Sequence, residues 1–133
     1  GATTGRPRRC GWLDAVALRY AARLNGFTGL AITKLDVLNG FDELQICTAY
    51  RWKNSTLSEF PYEMRILQQC KPVYQTLRGW NVERLGRVRS HEDLPPTMRD
   101  YLKRIEEICE AVVSIVSIGP ERDDTIILQN PFA

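Results

Sequence analysis

The sequence is poor in metal-binding side chains. Its 133 residues include one histidine, His91, and four cysteines, Cys10, Cys47, Cys70 and Cys109, none of them in a CxxC pair. A zinc centre needs closely spaced Cys or His ligands, so this scarcity argues against one. Dispersed cysteines in a chain of this size fit free thiols in a reducing compartment, and a cytoplasmic protein is expected. No apolar run approaches the roughly 18 residues that span a bilayer, so no membrane partner is expected. No signal-peptide pattern is visible. The GxxxxGK run that cradles nucleotide phosphates does not occur. Charge of one sign is also lacking. The 18 Lys and Arg against 16 Asp and Glu leave a net +2, too little to argue for nucleic acid. No internal repeat, low-complexity tract or convincing domain boundary is present, and residues 1–133 read as one unit.

What is present is concentrated in a few stretches. Thr3 and Thr4 offer adjacent hydroxyls, Gly5 allows a bend or a close approach, and Arg6, Arg8 and Arg9 follow with no acid before Asp14. Arginine's planar fork suits carboxylates and phosphates. A solvated loop could contain the same residue types. Asp14–Asn25 reads as a helix with Leu13, Val16, Ala17, Tyr20, Ala21 and Leu24 on a buried face and Gly26 as its cap. An Arg-rich loop feeding a helix start is a good place for an anion.

Leu30, Ala31 and Ile32 form a short apolar run that suits a strand buried on both faces of a parallel sheet. Thr33, Lys34 and Asp36 follow at its end, where ligands of open α/β sheets bind. A carboxylate at Asp36 can accept from both N1–H and the exocyclic amino group of guanine, a donor pair that adenine lacks. The stem of Lys34 can lie over the base while its charge stays in solvent. A solvated turn after a strand is the plain alternative.

Leu44–Tyr50 alternates and reads as a strand, followed by a hairpin turn within Arg51–Leu57. Val73–Leu77 reads as another strand. Arg84–Pro96 is polar and reads as a surface loop, and His91 within it is assigned no role. Leu94–Cys109 is the clearest helix, with prolines in its first turn and Met98, Tyr101, Leu102, Ile105, Ile108 and Cys109 on one face. Val112–Ile118 is a strand rich in β-branched residues that runs into Ser117-Ile-Gly-Pro120, and Thr125–Leu128 is a closing strand.

Three segments, in order, resemble the adenylosuccinate synthetase family: Gly1-Ala-Thr-Thr-Gly-Arg-x-Arg-Arg9, Thr33-Lys-Leu-Asp36 and Ser117-x-Gly-Pro-x-Arg122. The resemblance runs from Gly1 to about Ala133 and is least diagnostic between roughly Arg51 and Glu92. It implies an α/β fold: part of a P-loop-NTPase-like, mainly parallel sheet with flanking helices and a small antiparallel excursion. It implies a homodimeric ligase of AMP biosynthesis that joins IMP and L-aspartate into adenylosuccinate, with GTP as co-substrate and Mg²⁺ as cofactor. The aspartate-binding loop would fall on Ala2, Thr3, Thr4, Gly5, Arg6, Pro7 and Arg8. Arg6 would also contact IMP, and Arg8 would reach GTP. Lys34, Leu35, Asp36, Ser117, Ile118 and Gly119 would bind guanine. Pro7 restricts Arg6 to extended conformations.

The family's catalytic Asp and His, phosphate loop and Mg²⁺ ligands have no counterpart here. No catalytic or metal-binding residue is therefore expected in this chain. The chain opens at a loop residue without an initiator Met, so it is expected to be the C-terminal third of a longer enzyme and inactive by itself. Two alternatives use the same residues: a non-catalytic guanine-nucleotide-binding α/β module, and an α/β scaffold whose motifs are relics.

Overall fold

In a computed structural model that describes residues 4–7, 9–83, 85 and 88–130, the chain alternates between two small sheets. The first sheet starts with a two-residue strand, β1 (Leu13–Asp14), which leads directly into helix α1 (Ala15–Asn25). Asp14 caps α1 by accepting from Ala17 N at 3.1 Å, which satisfies a backbone donor of the first turn. Gly26, at φ 62°, closes the helix in the left-handed conformation, with its N–H bonded to Ala22 O. The helix is as expected, but its buried stripe is rotated. Ala15, Val16 and Ala22 are buried, whereas Leu24 is 67% exposed. Ala15 and Leu18 join the main core and Val16 joins a second cluster with Cys47 and Tyr50, so α1 is covered on two sides near its start.

Strand β2 (Gly29–Ile32) follows. It lies parallel to β6 (Val112–Ser117), and β7 (Thr125–Ile127) closes this second sheet antiparallel to β6. The expectation of burial on both faces of β2 is not met. Leu30 is buried, but Ala31, which follows a register shift against β6, is exposed.

The chain then returns to the first sheet. Strand β3 (Glu43–Trp52) lies parallel to β1, with Leu13 opposite Ile46, and antiparallel to β4 (Ser55–Leu57) and β5 (Lys71–Arg78). The two sheets are thus mixed, with parallel pairs at β1–β3 and β2–β6 and an antiparallel excursion through β4 and β5. The alternation expected of Leu44–Tyr50 is interrupted. Cys47 faces Tyr74 and Ala49 faces Val73, so Thr48 is an extra residue on β3. Such a bulge shifts the side-chain phase. Leu44 and Ile46 therefore enter the main core, while Tyr50 joins Cys47 in the second cluster.

A short helix, α2 (Met64–Leu67), precedes β5 and was not expected. Helix α3 (Pro96–Cys109) matches the expected helix, and all six residues of its predicted apolar face are buried. Fully burying an aliphatic or aromatic side chain of this kind contributes about 1.5–3 kcal/mol. The polar loop before α3 is not purely a surface segment: Val88 and Leu94 are 5% and 2% exposed and belong to the main core. His91 in that loop is exposed. Among the described residues no helix is long and apolar enough to cross a membrane.

Candidate functional site

The parallel pairing of β2 and β6 puts two of the sequence motifs side by side. Ile32 pairs with Val116, so Thr33–Asp36 and Ser117–Gly119 leave the sheet at the same carboxyl edge. Beyond β2 the chain turns sharply. Lys34 has φ 66° and ψ 30°, a left-handed conformation that is costly for a side chain of this type. Leu35–Leu38 then forms one turn of 3₁₀-helix. Leu35, only 1% exposed, anchors that turn in the core. Lys34 remains exposed and Asp36 is half-buried. A buried leucine between an exposed lysine and a half-buried carboxylate is a fixed mount for two polar groups.

The second motif is tightly folded. The Ser117 hydroxyl donates to Gly119 O at 3.0 Å, and Ile118 N donates to Asp124 O at 3.0 Å. Ile118 is 3% exposed and fixes the turn. Gly119 leaves room for a side chain: a Cβ there would lie 2.2 Å from Asp124 Oδ2, which would have to move. That same oxygen accepts from Glu121 N at 3.1 Å, part of a reciprocal cap on a 3₁₀ turn at Arg122–Asp124. Sequence reasoning did not find Asp124.

The N-terminal loop enters the other sheet through β1. Thr4, Gly5, Arg6 and Pro7 are all exposed. Arg6 N donates to Thr4 Oγ1 at 3.4 Å across a turn whose Gly5 sits at φ 62°, a conformation that favours glycine. Ala2, Thr3 and Arg8 lie outside the described residues. At the start of α1 the Asp14 carboxylate accepts from Ala17 N, so one of the first-turn N–H groups is already taken. The root of the loop does come near the end of the 3₁₀ turn that follows Lys34. A cavity of about 590 Å³ is lined by Cys10, Gly11 and Trp12, by Val37, Leu38 and Phe41, and by Tyr74 of β5. The Trp12 and Phe41 rings meet edge-on at 5.6 Å.

Asp14 itself holds a second contact. Its other oxygen accepts from the Tyr50 hydroxyl. Burial first, and then the Asp14 hydrogen bond and charge, push the Tyr50 phenol far above its ordinary value. Burial likewise raises the Cys47 and Cys109 thiols. These are structural groups held neutral. No group of three or more His, Cys, Asp or Glu side chains that could hold a metal ion occurs among the described residues.

The chain as a whole has counterparts among known proteins. The family model for adenylosuccinate synthetase matches residues 1–126. The chain belongs to the adenylosuccinate synthetase family. An adenylosuccinate synthetase of Desulfosudis oleivorans is 60% identical over 133 residues, which is 100% of this chain and 31% of that relative. The relative from Desulfatibacillum aliphaticivorans is 56% identical with the same coverage. A solved structure of fully ligated adenylosuccinate synthetase from Plasmodium falciparum superposes with a TM-score of 0.85 at 32% identity, covering 97% of this chain and 31% of that one. The α/β fold is therefore the one found in this family, and the chain spans about 31% of the length of these relatives.

Proposed function

We propose that the chain is the substrate- and guanine-recognising portion of a longer ligase that joins IMP and L-aspartate at the expense of GTP. The observation that carries this reading is the shared strand edge, where Lys34–Asp36 and Ser117–Gly119 emerge next to each other. In this reading the Asp36 carboxylate accepts from guanine N1–H and the 2-amino group, and the Lys34 stem covers the base. Leu35, Ser117, Ile118 and Gly119 complete the pocket. The strained backbone at Lys34 supports a functional constraint there.

The loop comprising Ala2, Thr3, Thr4, Gly5, Arg6, Pro7 and Arg8 holds the carboxylates of aspartate. Arg6 also reaches IMP, and Arg8 the GTP side. Membership in the family implies two steps. The γ-phosphoryl group of GTP passes to O6 of IMP, leaving GDP and 6-phosphoryl-IMP. The amino nitrogen of aspartate then bonds to C6, and the C6–O6 bond breaks to release phosphate. The residues of this chain align the reactants and neutralise charge, on which such transfers depend. Mg²⁺ would assist the phosphoryl transfer, and the donor set described above does not fit it, so its ligands belong to the remainder of the enzyme. The chain by itself is inactive in this reading. The complete enzyme works as a cytoplasmic homodimer.

The test uses the complete enzyme, with the upstream coding sequence joined to this segment. Adenylosuccinate formation should require GTP, and Asp36→Asn should lose discrimination between GTP and ITP, which lacks the 2-amino group. An upstream sequence with no phosphate loop would instead leave a guanine-binding module without ligase chemistry. Unchanged discrimination in Asp36→Asn would remove the role given to that carboxylate.

A further inference from the structure

We infer that Asn39 is a positioning residue for nucleotide recognition, clamping the Lys34–Asp36 turn to the chain that leaves β5. This rests on the guanine role proposed for Asp36. Asn39 ends the 3₁₀ turn and donates its own N–H to Asp36 O at 3.1 Å. Its side chain reaches across to Val82. Nδ2 donates to Val82 O at 3.0 Å, and Oδ1 accepts from Val82 N at 3.0 Å. One amide thus satisfies both backbone groups of one residue, as a neighbouring strand would. The main chain adds to the contact: Asn39 forms a parallel bridge with Trp80, and Gly40 N donates to Trp80 O at 2.8 Å.

Trp80 makes this clamp rigid. It is 3% exposed, and its ring packs edge-on against Tyr101 of α3 at 5.6 Å. The rest of the turn is held through Leu35 and, less deeply, through Leu38, which packs half-buried against the main core. Leu35 is buried, but Val37 is 60% exposed, and the turn must be kept in a costly left-handed entry at Lys34. Leu35 fixes where the turn begins, and Asn39 fixes where it ends, with Asp36 between them. Only asparagine among side chains of this length supplies a donor and an acceptor together. Leucine supplies neither, and ionised aspartate supplies only the acceptor.

The test is made in the complete enzyme with Asn39→Leu, Asn39→Asp and Asp36→Asn side by side. Loss of both clamp bonds in Asn39→Leu should raise KM for GTP and cut the GTP-over-ITP preference in kcat/KM, each by roughly 10-fold. Asn39→Asp, which keeps the acceptor for Val82 N, should fall in between. KM for IMP and for aspartate should stay within about twofold in both variants, a split that a general loss of folding would not produce. If Asp36→Asn abolishes the preference and both Asn39 variants retain it, the clamp has no role in recognition and the inference falls alone. If all three KM values rise together in Asn39→Asp, the residue is structural only. If Asp36→Asn leaves the preference intact, the guanine reading falls and this inference falls with it.

Discussion

The Tyr50 hydroxyl donates to Asp14 Oδ2 at 2.5 Å, while Asp14 Oδ1 accepts from Ala17 N at 3.1 Å. One carboxylate therefore joins β3 to the start of α1, at the point where the arginine loop enters the fold. Tyr50→Phe removes a charge-assisted bond from a buried side chain and should cost about 1.5–3 kcal/mol. Equilibrium urea denaturation of Tyr50→Phe, Asp14→Ala and the double variant measures it. A coupling near zero in that cycle would show that the two groups act independently.

Alkaline pH should destabilise the fold through groups held neutral by burial. Cys47 and Cys109 are raised from 9.0, and Tyr50 and Tyr101 from 10.0, with desolvation the largest cause in each. A raised native pKa means that above the ordinary value the unfolded chain gives up a proton that the native chain keeps. Fewer protons are then bound in the unfolded state, and stability falls as pH rises. Unfolding free energy should hold level with respect to these groups below pH 9.0 and decline above it. In Tyr101→Phe the decline above pH 10.0 should be shallower by the contribution of one proton. An unchanged slope would contradict the burial assigned to that phenol.

Two glycines should differ in kind. A Cβ at Gly79 would lie 1.8 Å from Phe41 O, a backbone atom that cannot turn aside. Gly79→Ala should destabilise by about 3 kcal/mol or more, the upper end of overpacking costs. The Cβ of Gly119→Ala meets the Asp124 carboxylate, which can swing away at the expense of its bond from Glu121 N. That variant should lose less stability than Gly79→Ala while weakening GTP in the complete enzyme. Thermal denaturation and GTP titration separate the two outcomes.

The exposed loop should be read out by substrate dependence. Arg6→Leu should raise the aspartate requirement by roughly 10- to 100-fold, as expected for the loss of a charge-assisted hydrogen bond. Its melting temperature should change little, because Arg6 is exposed. Steady-state kinetics with varied aspartate checks this. An unchanged KM would take Arg6 out of the aspartate site.

Local features of this fold were legible where local rules govern them. The six buried residues of α3 follow from helical spacing, and the Gly26 cap follows from the need for a left-handed residue. The motif at Lys34–Asp36 was visible as chemistry at the end of an apolar run. Features set by distant partners were not. The Thr48 bulge depends on how β3 meets β5, and it decides which core Tyr50 enters. Val88 and Leu94 sit in a polar stretch, and nothing near them in sequence announces that they are buried. Asn39 stands before Gly40 in what the sequence offers only as a turn-rich link, and its side-chain partner, Val82, lies far along the chain. Leu24 keeps the helical period, yet it extends past the elements that cover the rest of α1.

The alternation of the chain between its two sheets bears on how the protein is made. On a ribosome β1 and β2 emerge before the strands they pair with, β3 and β6. The first sheet can close once Arg78 has been synthesised, whereas Gly29 must wait for Val112. Until then β2 lacks its β6 partner, and a strand edge left open in this way invites association with other nascent chains. Long-range parallel pairing of this sort closes slowly. The arrival of β6, with β7 after it, completes the second sheet and also brings Ser117–Gly119 beside Lys34–Asp36. The surface proposed for nucleotide recognition and the closure of this sheet would be finished by the same event.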